Sequence, residues 1–146
     1  MNYEIQVPER YLKEILIKNS DIHGSGLFTN IPIPQSTIFA EYRGKILSSE
    51  EAEKRDDQTY IFILNDSLCI DGDPHKYNNV AGYLNHSCNP NCECVFDWDG
   101  ERVFFVALRD IMPGEELTYD YCFPDYGEKT PCTCGSSNCR GFLERP

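Results

Sequence analysis

Gly82-Tyr83-Leu84-Asn85-His86-Ser87-Cys88-Asn89-Pro90-Asn91-Cys92 is the most polar stretch of the chain that apolar sequence flanks on both sides. Taken alone, Asn85, His86 and Ser87 suit a turn, and a lone histidine is more often a satisfied structural group than a catalyst. Outward from this stretch, short apolar runs alternate with turn chemistry. Toward the C-terminus, Val95-Phe96 and Val103-Phe104-Phe105-Val106 flank Asp99-Gly100 in the pattern of a hairpin. Pro113-Gly114 then turns the chain into Leu117-Thr118-Tyr119, and from about Cys122 the sequence reads as loop. Toward the N-terminus, Tyr60-Ile61-Phe62-Ile63-Leu64, Asn65-Asp66-Ser67 and Leu68-Cys69-Ile70 predict a second hairpin. Ile38 to Tyr42 forms a strand closed by Gly44, and Ile15-Leu16-Ile17 forms another, with Gly24-Ser25-Gly26 as a break before Leu27-Phe28. Ser48 and Glu51 have capping-box spacing, so the best helix runs from Glu50 to about Asp57. Many short strands and little helix predict a mostly β domain.

With 146 residues, the chain is long enough for one domain with a core and too short for two ordinary ones. It has no run of about 18 apolar residues, the length that spans a bilayer, and its first residues lack the layout of a secretory signal. An intracellular protein with no membrane contact is expected. The formal charge is -11, from 24 acidic and 13 basic residues. Such a surface repels phosphate backbones, so no direct nucleic-acid binding is expected. It favours basic partners such as Lys/Arg-rich tails.

Eight cysteines in an intracellular chain are more often metal ligands or buried thiols than disulfides. Cys132-Thr133-Cys134 and then Cys139 place three thiols close together in a loop. A structural zinc takes four ligands in a tetrahedron, so a fourth must come from elsewhere. Cys69 lies in a predicted strand and Cys122 at a strand end. Spacing alone leaves Cys88, Cys92 and Cys94 as equal candidates.

Three motifs in order resemble the SET-domain protein-lysine methyltransferases. They are Asn85-His86-Ser87-Cys88-x-Pro90-Asn91, then Gly114-Glu115-Glu116-Leu117-Thr118-Tyr119-Asp120-Tyr121, then the Cys132, Cys134 and Cys139 tail. His23-Gly24-Ser25-Gly26-Leu27-Phe28 is similar to the family's opening glycine motif, and Tyr60-Ile61-Phe62 to its central strand. Tyr119-Asp120-Tyr121-x-Phe123-Pro124 looks closest to the Trithorax and mixed-lineage-leukaemia branch.

The resemblance implies a mostly β SET-domain fold of short sheets, with a C-terminal pseudoknot and a small zinc-binding flap. It divides the chain into an N-terminal extension (1–10), a SET domain (11–122) and a zinc-binding post-SET segment (123–146). It implies methyl transfer from S-adenosylmethionine to a lysine of a basic protein tail, a histone being the obvious candidate, in the nucleus or on chromatin. Tyr121 would be the catalytic hydroxyl, with Tyr119 limiting the product to mono- or dimethylation and Tyr42 lining the lysine channel. Cofactor binding would fall to His23, Gly24, Ser25, Gly26, Tyr60, Tyr83, Asn85, His86 and Phe142. One structural zinc would be held by Cys88, Cys132, Cys134 and Cys139. The sequence departs from the family at Gly82, where Arg is usual. The insert before Asn85 is short and no cysteine-rich segment precedes the domain, so a second copy or an activating partner is expected to complete the peptide groove. The alternatives are a catalytically silent peptide-binding module and an enzyme acting on a non-histone basic protein.

Overall fold

The computed structural model describes residues 4–145. Residues 1–3 of the expected N-terminal extension and residue 146 of the expected tail lie outside it. The chain opens with a single-turn helix, α1 (Glu9–Glu14), followed directly by β1 (Ile15–Asn19) and β2 (Ser25–Thr29). Helix α1 was not apparent in the sequence. A helix this short is unstable alone, and it persists because Tyr11 is buried in the core. Strand β2 begins at Ser25 and so includes Gly26, whose backbone stays in the ladder opposite Lys18.

Strands β3 (Ile38–Tyr42) and β4 (Lys45–Ser48) lead into α2 (Ser49–Glu53). The capping box at Ser48 and Glu51 is present. The helix stops four residues earlier than its sequence predicts. Gln58 Nε2 reaches the carbonyls of Ala52 and Arg55 at 2.8 and 2.7 Å, while Arg55 turns to pair with buried Asp71 at 3.0 Å. These contacts satisfy the orphan carbonyls and close the helix.

Next come β5 (Ile61–Ile63) and β6 (Leu68–Asp71), the expected hairpin, then a 3-10 turn over Val80–Tyr83 and the two-residue strand β7 (Asn85–His86). The chain returns through the second expected hairpin, β8 (Cys92–Phe96) and β9 (Val103–Ala107), to β10 (Glu116–Tyr119). The described strands form three small sheets, ordered β1-β2-β10-β7, β3-β9-β8 and β4-β6-β5. The mostly β expectation therefore holds. Leu27, Ile33, Phe39, Phe105, Ile111 and Leu117 form the main core, and Leu47, Ala52 and Cys69 a smaller one under α2. No helix among the described residues is long and apolar enough to cross a membrane.

One placement matters most for the site. Strand β10 lies between β2, to which it is antiparallel, and β7, to which it is parallel. A strand from late in the chain is thus held between two earlier ones.

Candidate active site

The parallel pairing sets Thr118 opposite Asn85 and Tyr119 opposite His86. Asn85 and His86 are therefore strand residues and not turn residues, and both are buried. The junction is polar, and its buried groups find partners, as burial requires. Asn91 Oδ1 accepts from Thr118 N at 2.9 Å while its Nδ2 donates to Glu116 O at 2.8 Å. His86 Nδ1 accepts from Tyr121 N at 3.0 Å, and the Tyr121 hydroxyl donates to Leu84 O at 2.8 Å. Both ends of the Tyr121 side of the site are thereby fixed to the β7 segment.

A cleft of about 490 Å³ opens at this junction. His23, Gly24, Ser25, Tyr60, Tyr83, Asn85, His86 and Tyr121 line it, and Thr130 to Cys134 and Leu143 form its far side. Gly26 stands behind the wall, because an added Cβ would fall 2.2 Å from Glu116 Oε1. Phe142 pairs with Pro131 and lies under Lys129 Nζ, 4.5 Å from the ring centre, while its neighbour Leu143 faces the cleft. Tyr42 donates to Tyr60 O at 2.8 Å and packs on Phe62. Tyr119 joins a run of rings, with centroids 4.8 Å from Phe105 and 5.0 Å from Tyr121, which in turn lies 5.3 Å from Phe123.

Burial pushes the Tyr121 phenol up to about 12 and raises those of Tyr42 and Tyr119 well above the ordinary phenol range. All three keep their protons at neutral pH. The Tyr121 proton is committed to Leu84 O, which leaves the oxygen's lone pairs available as acceptors. Burial lowers the His86 pKa against the upward pull of Asp120, so the imidazole is neutral. Since Nδ1 accepts a hydrogen bond, Nε2 carries the proton, and it sits 3.3 Å from Cys88 Sγ.

The sulfurs of Cys88, Cys132, Cys134 and Cys139 all lie within 4.8 Å of one another. A tetrahedron of Zn–S bonds about 2.3 Å long sets its sulfurs roughly 3.8 Å apart, and Cys88 and Cys132 are separated by 3.9 Å. The four thiols therefore fit one structural zinc. Burial works against a Cys134 thiolate, but the Cys88 N–H and the Ser136 hydroxyl outweigh it and bring the thiol down to about 6. Cys92 and Cys94 lie in β8, and Cys92 Sγ is occupied with Asn91 Oδ1 at 3.1 Å. Folding thus resolves what spacing left open.

A model of the SET domain matches residues 24–122. The chain belongs to the SET-domain family. It is 38% identical over 141 residues to a Schizosaccharomyces pombe protein named "Histone-lysine N-methyltransferase, H3 lysine-4 specific", covering 90% of this chain and 15% of that protein. It is 39% identical over 144 residues to "Histone-lysine N-methyltransferase trithorax" of Drosophila virilis, covering 92% and 4%. Human "Histone-lysine N-methyltransferase 2B" is 39% identical over 138 residues, covering 87% and 5%. The resemblance to the Trithorax branch is borne out, and the chain spans only a small part of the length of these relatives.

Three residues with no individual role legible in the sequence, one in this SET domain and two in the tail after it, hold the cleft together. Arg140 makes a paired contact with Asp120, Nη1 to Oδ2 at 2.9 Å and Nη2 to Oδ1 at 3.0 Å, and also donates to the carbonyls of Leu143 and Glu144. Burial would raise the Asp120 pKa, but the guanidinium overrides it and holds the carboxyl at about 2. Glu144 accepts from Thr130 N and Oγ1 and so closes the tail on itself. No local pattern distinguishes these residues from surface charges, because every partner is distant in sequence or lies in irregular chain.

Proposed function

We propose that this SET domain is a protein-lysine N-methyltransferase that takes its methyl group from S-adenosylmethionine and acts on a basic protein tail, a histone tail first. The observation that carries this is the cleft itself, where the glycine loop, the Asn85-His86 strand and Tyr121 meet beside a four-cysteine cluster. The family's cofactor fits the residues present. Asn85 Oδ1 accepts no hydrogen bond from any described residue, so an acceptor faces a cleft edged by Ile22, Tyr83 and Leu143. That is the chemistry to hold a ligand with an ammonium group and an aromatic base. When bound, S-adenosylmethionine supplies the electrophilic methyl group.

The chain's own residues would prepare the amine. Lysine has a reference pKa of about 10.4 and must lose a proton to attack. The buried ring cluster of Phe105, Tyr119 and Tyr121 disfavours the ammonium by desolvation. The Tyr121 oxygen, with its proton on Leu84 O, accepts an N–H of the neutral amine and aims its lone pair. Tyr119, stacked on Tyr121, takes up space that a more methylated amine needs, which favours mono- and dimethylation. His23, Gly24, Ser25, Tyr60, Tyr83, Asn85 and His86 would shape the cofactor pocket directly, Gly26 and Phe142 would support it from behind the cleft wall, and Tyr42 would back the channel through Tyr60. Cys88, Cys132, Cys134 and Cys139 would bind one zinc. The chain would divide into an N-terminal extension (1–10), a SET domain (11–122) and a zinc-binding segment (123–146).

The charge of -11 favours basic tails, and a histone tail as substrate would put the protein on chromatin. A second copy or an activating protein would complete the groove. Radiolabelled methyl transfer onto purified histones tests the proposal. Label on a histone with the wild type and none with Tyr121→Phe is expected. Wild-type protein that labels neither histones nor any basic protein in a lysate overturns it.

A further inference from the structure

Glu115 and Glu116 are neighbours with opposite circumstances. Glu115 is paired with Arg109 at 2.8 Å and accepts from Met112 N near the surface. Glu116 forms no ion pair with any described residue. Its carboxylate instead accepts from Ser20 Oγ at 2.8 and 2.9 Å and from Asn85 Nδ2 at 2.9 Å. It fills the space that a side chain at position 26 would need, so Gly26 makes room for a carboxylate.

The Asn85 amide shows what this carboxylate does. Nδ2 faces three oxygens, those of His23 O at 3.0 Å, Ser25 O at 3.1 Å and Glu116 Oε1. Two are backbone carbonyls and one is a carboxylate oxygen, and all three serve the amide as acceptors. A flipped amide would set its own oxygen against them. Oδ1 is therefore held on the other side, toward the cleft that Asn85 lines. Of the three acceptors, the carboxylate is the only one supplied by a side chain. Ser20 extends the hold: its hydroxyl donates to Glu116 and accepts from Ile22 N at 2.9 Å and His23 N at 3.3 Å. One carboxylate thus fixes both Asn85 and the loop beside it.

We propose that Glu116 is a positioning residue of the ligand cleft, locking Asn85 with its oxygen outward and tying down the Ser20 to Ser25 loop. This rests on the reading of the cleft as the S-adenosylmethionine site. Glu116 touches no ligand and acts through Asn85 and Ser20. The requirement is an acceptor at this point, not a negative charge, so a glutamine should serve.

Calorimetric titration of S-adenosylmethionine into the folded protein, with thermal unfolding checked in parallel, tests this. Glu116→Ala should weaken binding about tenfold, in the range of one lost hydrogen bond. Glu116→Gln should restore it to within about threefold. Asn85→Ala should weaken binding too, and adding Glu116→Ala to it should cost clearly less than Glu116→Ala costs the wild type, only the Ser20 tie remaining to be lost, which a general loss of packing would not reproduce. The same pattern should appear in KM, with kcat nearly unchanged. Additive losses, or a Glu116→Gln protein as weak as Glu116→Ala, would overturn the proposal, and Glu116→Gln keeps it testable if the alanine variant does not fold. Wild-type protein that binds no S-adenosylmethionine overturns the cofactor reading and this proposal with it, whereas normal wild-type binding with an unaffected Glu116→Ala protein overturns this proposal alone.

Discussion

The β-built centre and the C-terminal tail are held by different forces, although they share one cleft. The centre is closed by hydrophobic burial: Leu27, Ile33, Phe105 and Leu117 are shielded from water, and three sheets pair the backbone around them. The tail, 123–145, contains no helix and only isolated bridges, such as Pro131 to Phe142. Its anchors are four thiols, the Arg140–Asp120 pair and the Glu144–Thr130 contacts. A segment with so little apolar burial cannot repay its own ordering entropy without such ties. The comparison teaches that one wall of the cleft is permanent and the other conditional.

Substitutions should separate the two walls. The largest effect is expected at their junction, where Tyr121→Phe should lower methyl transfer by about a hundredfold or more through lost alignment, with the unfolding temperature little changed; full activity would remove Tyr121 from the chemistry. In the centre, Leu117→Ala should cost about 2–5 kcal/mol in denaturant unfolding while leaving the cysteine cluster's metal content intact. In the tail, Arg140→Ala should reduce transfer about tenfold, the scale of a lost charge-assisted contact, and expose 123–145 to limited proteolysis without weakening the centre. Equal loss of stability in the centre would show that the two regions are one unit. The smallest effect is expected for Tyr119→Phe, which should shift the product toward higher methylation with little change in rate; mass spectrometry showing the same product distribution would reject that role.

The two regions also differ in how much their sequence reveals. In the centre, both hairpins, the β3 strand and the capping box at Ser48 were legible, because turn residues and local apolar runs define them. Strand β4 was not, since Lys45-Ile46-Leu47-Ser48 is short and its partner β6 is distant. Strand β7 was hidden for the same reason: Asn85-His86 has turn-like composition and becomes a strand only against β10. In the tail, the three local cysteines were visible, but the choice of Cys88 over Cys92 and Cys94 depended on folding. Glu116 and Asp120 stood inside a quoted motif but, like Arg140, had no individual role in the sequence, because their roles lie in contacts between remote segments.

The central claim is that the metal-held tail completes a cleft on a centre that folds without it, and chelation followed by paired readouts tests it most directly. Metal content and methyl transfer should fall together and return together on adding zinc, while the centre keeps its cooperative unfolding transition. A metal-free protein that transfers methyl groups at the full rate, or one whose centre unfolds as the metal leaves, would contradict the account.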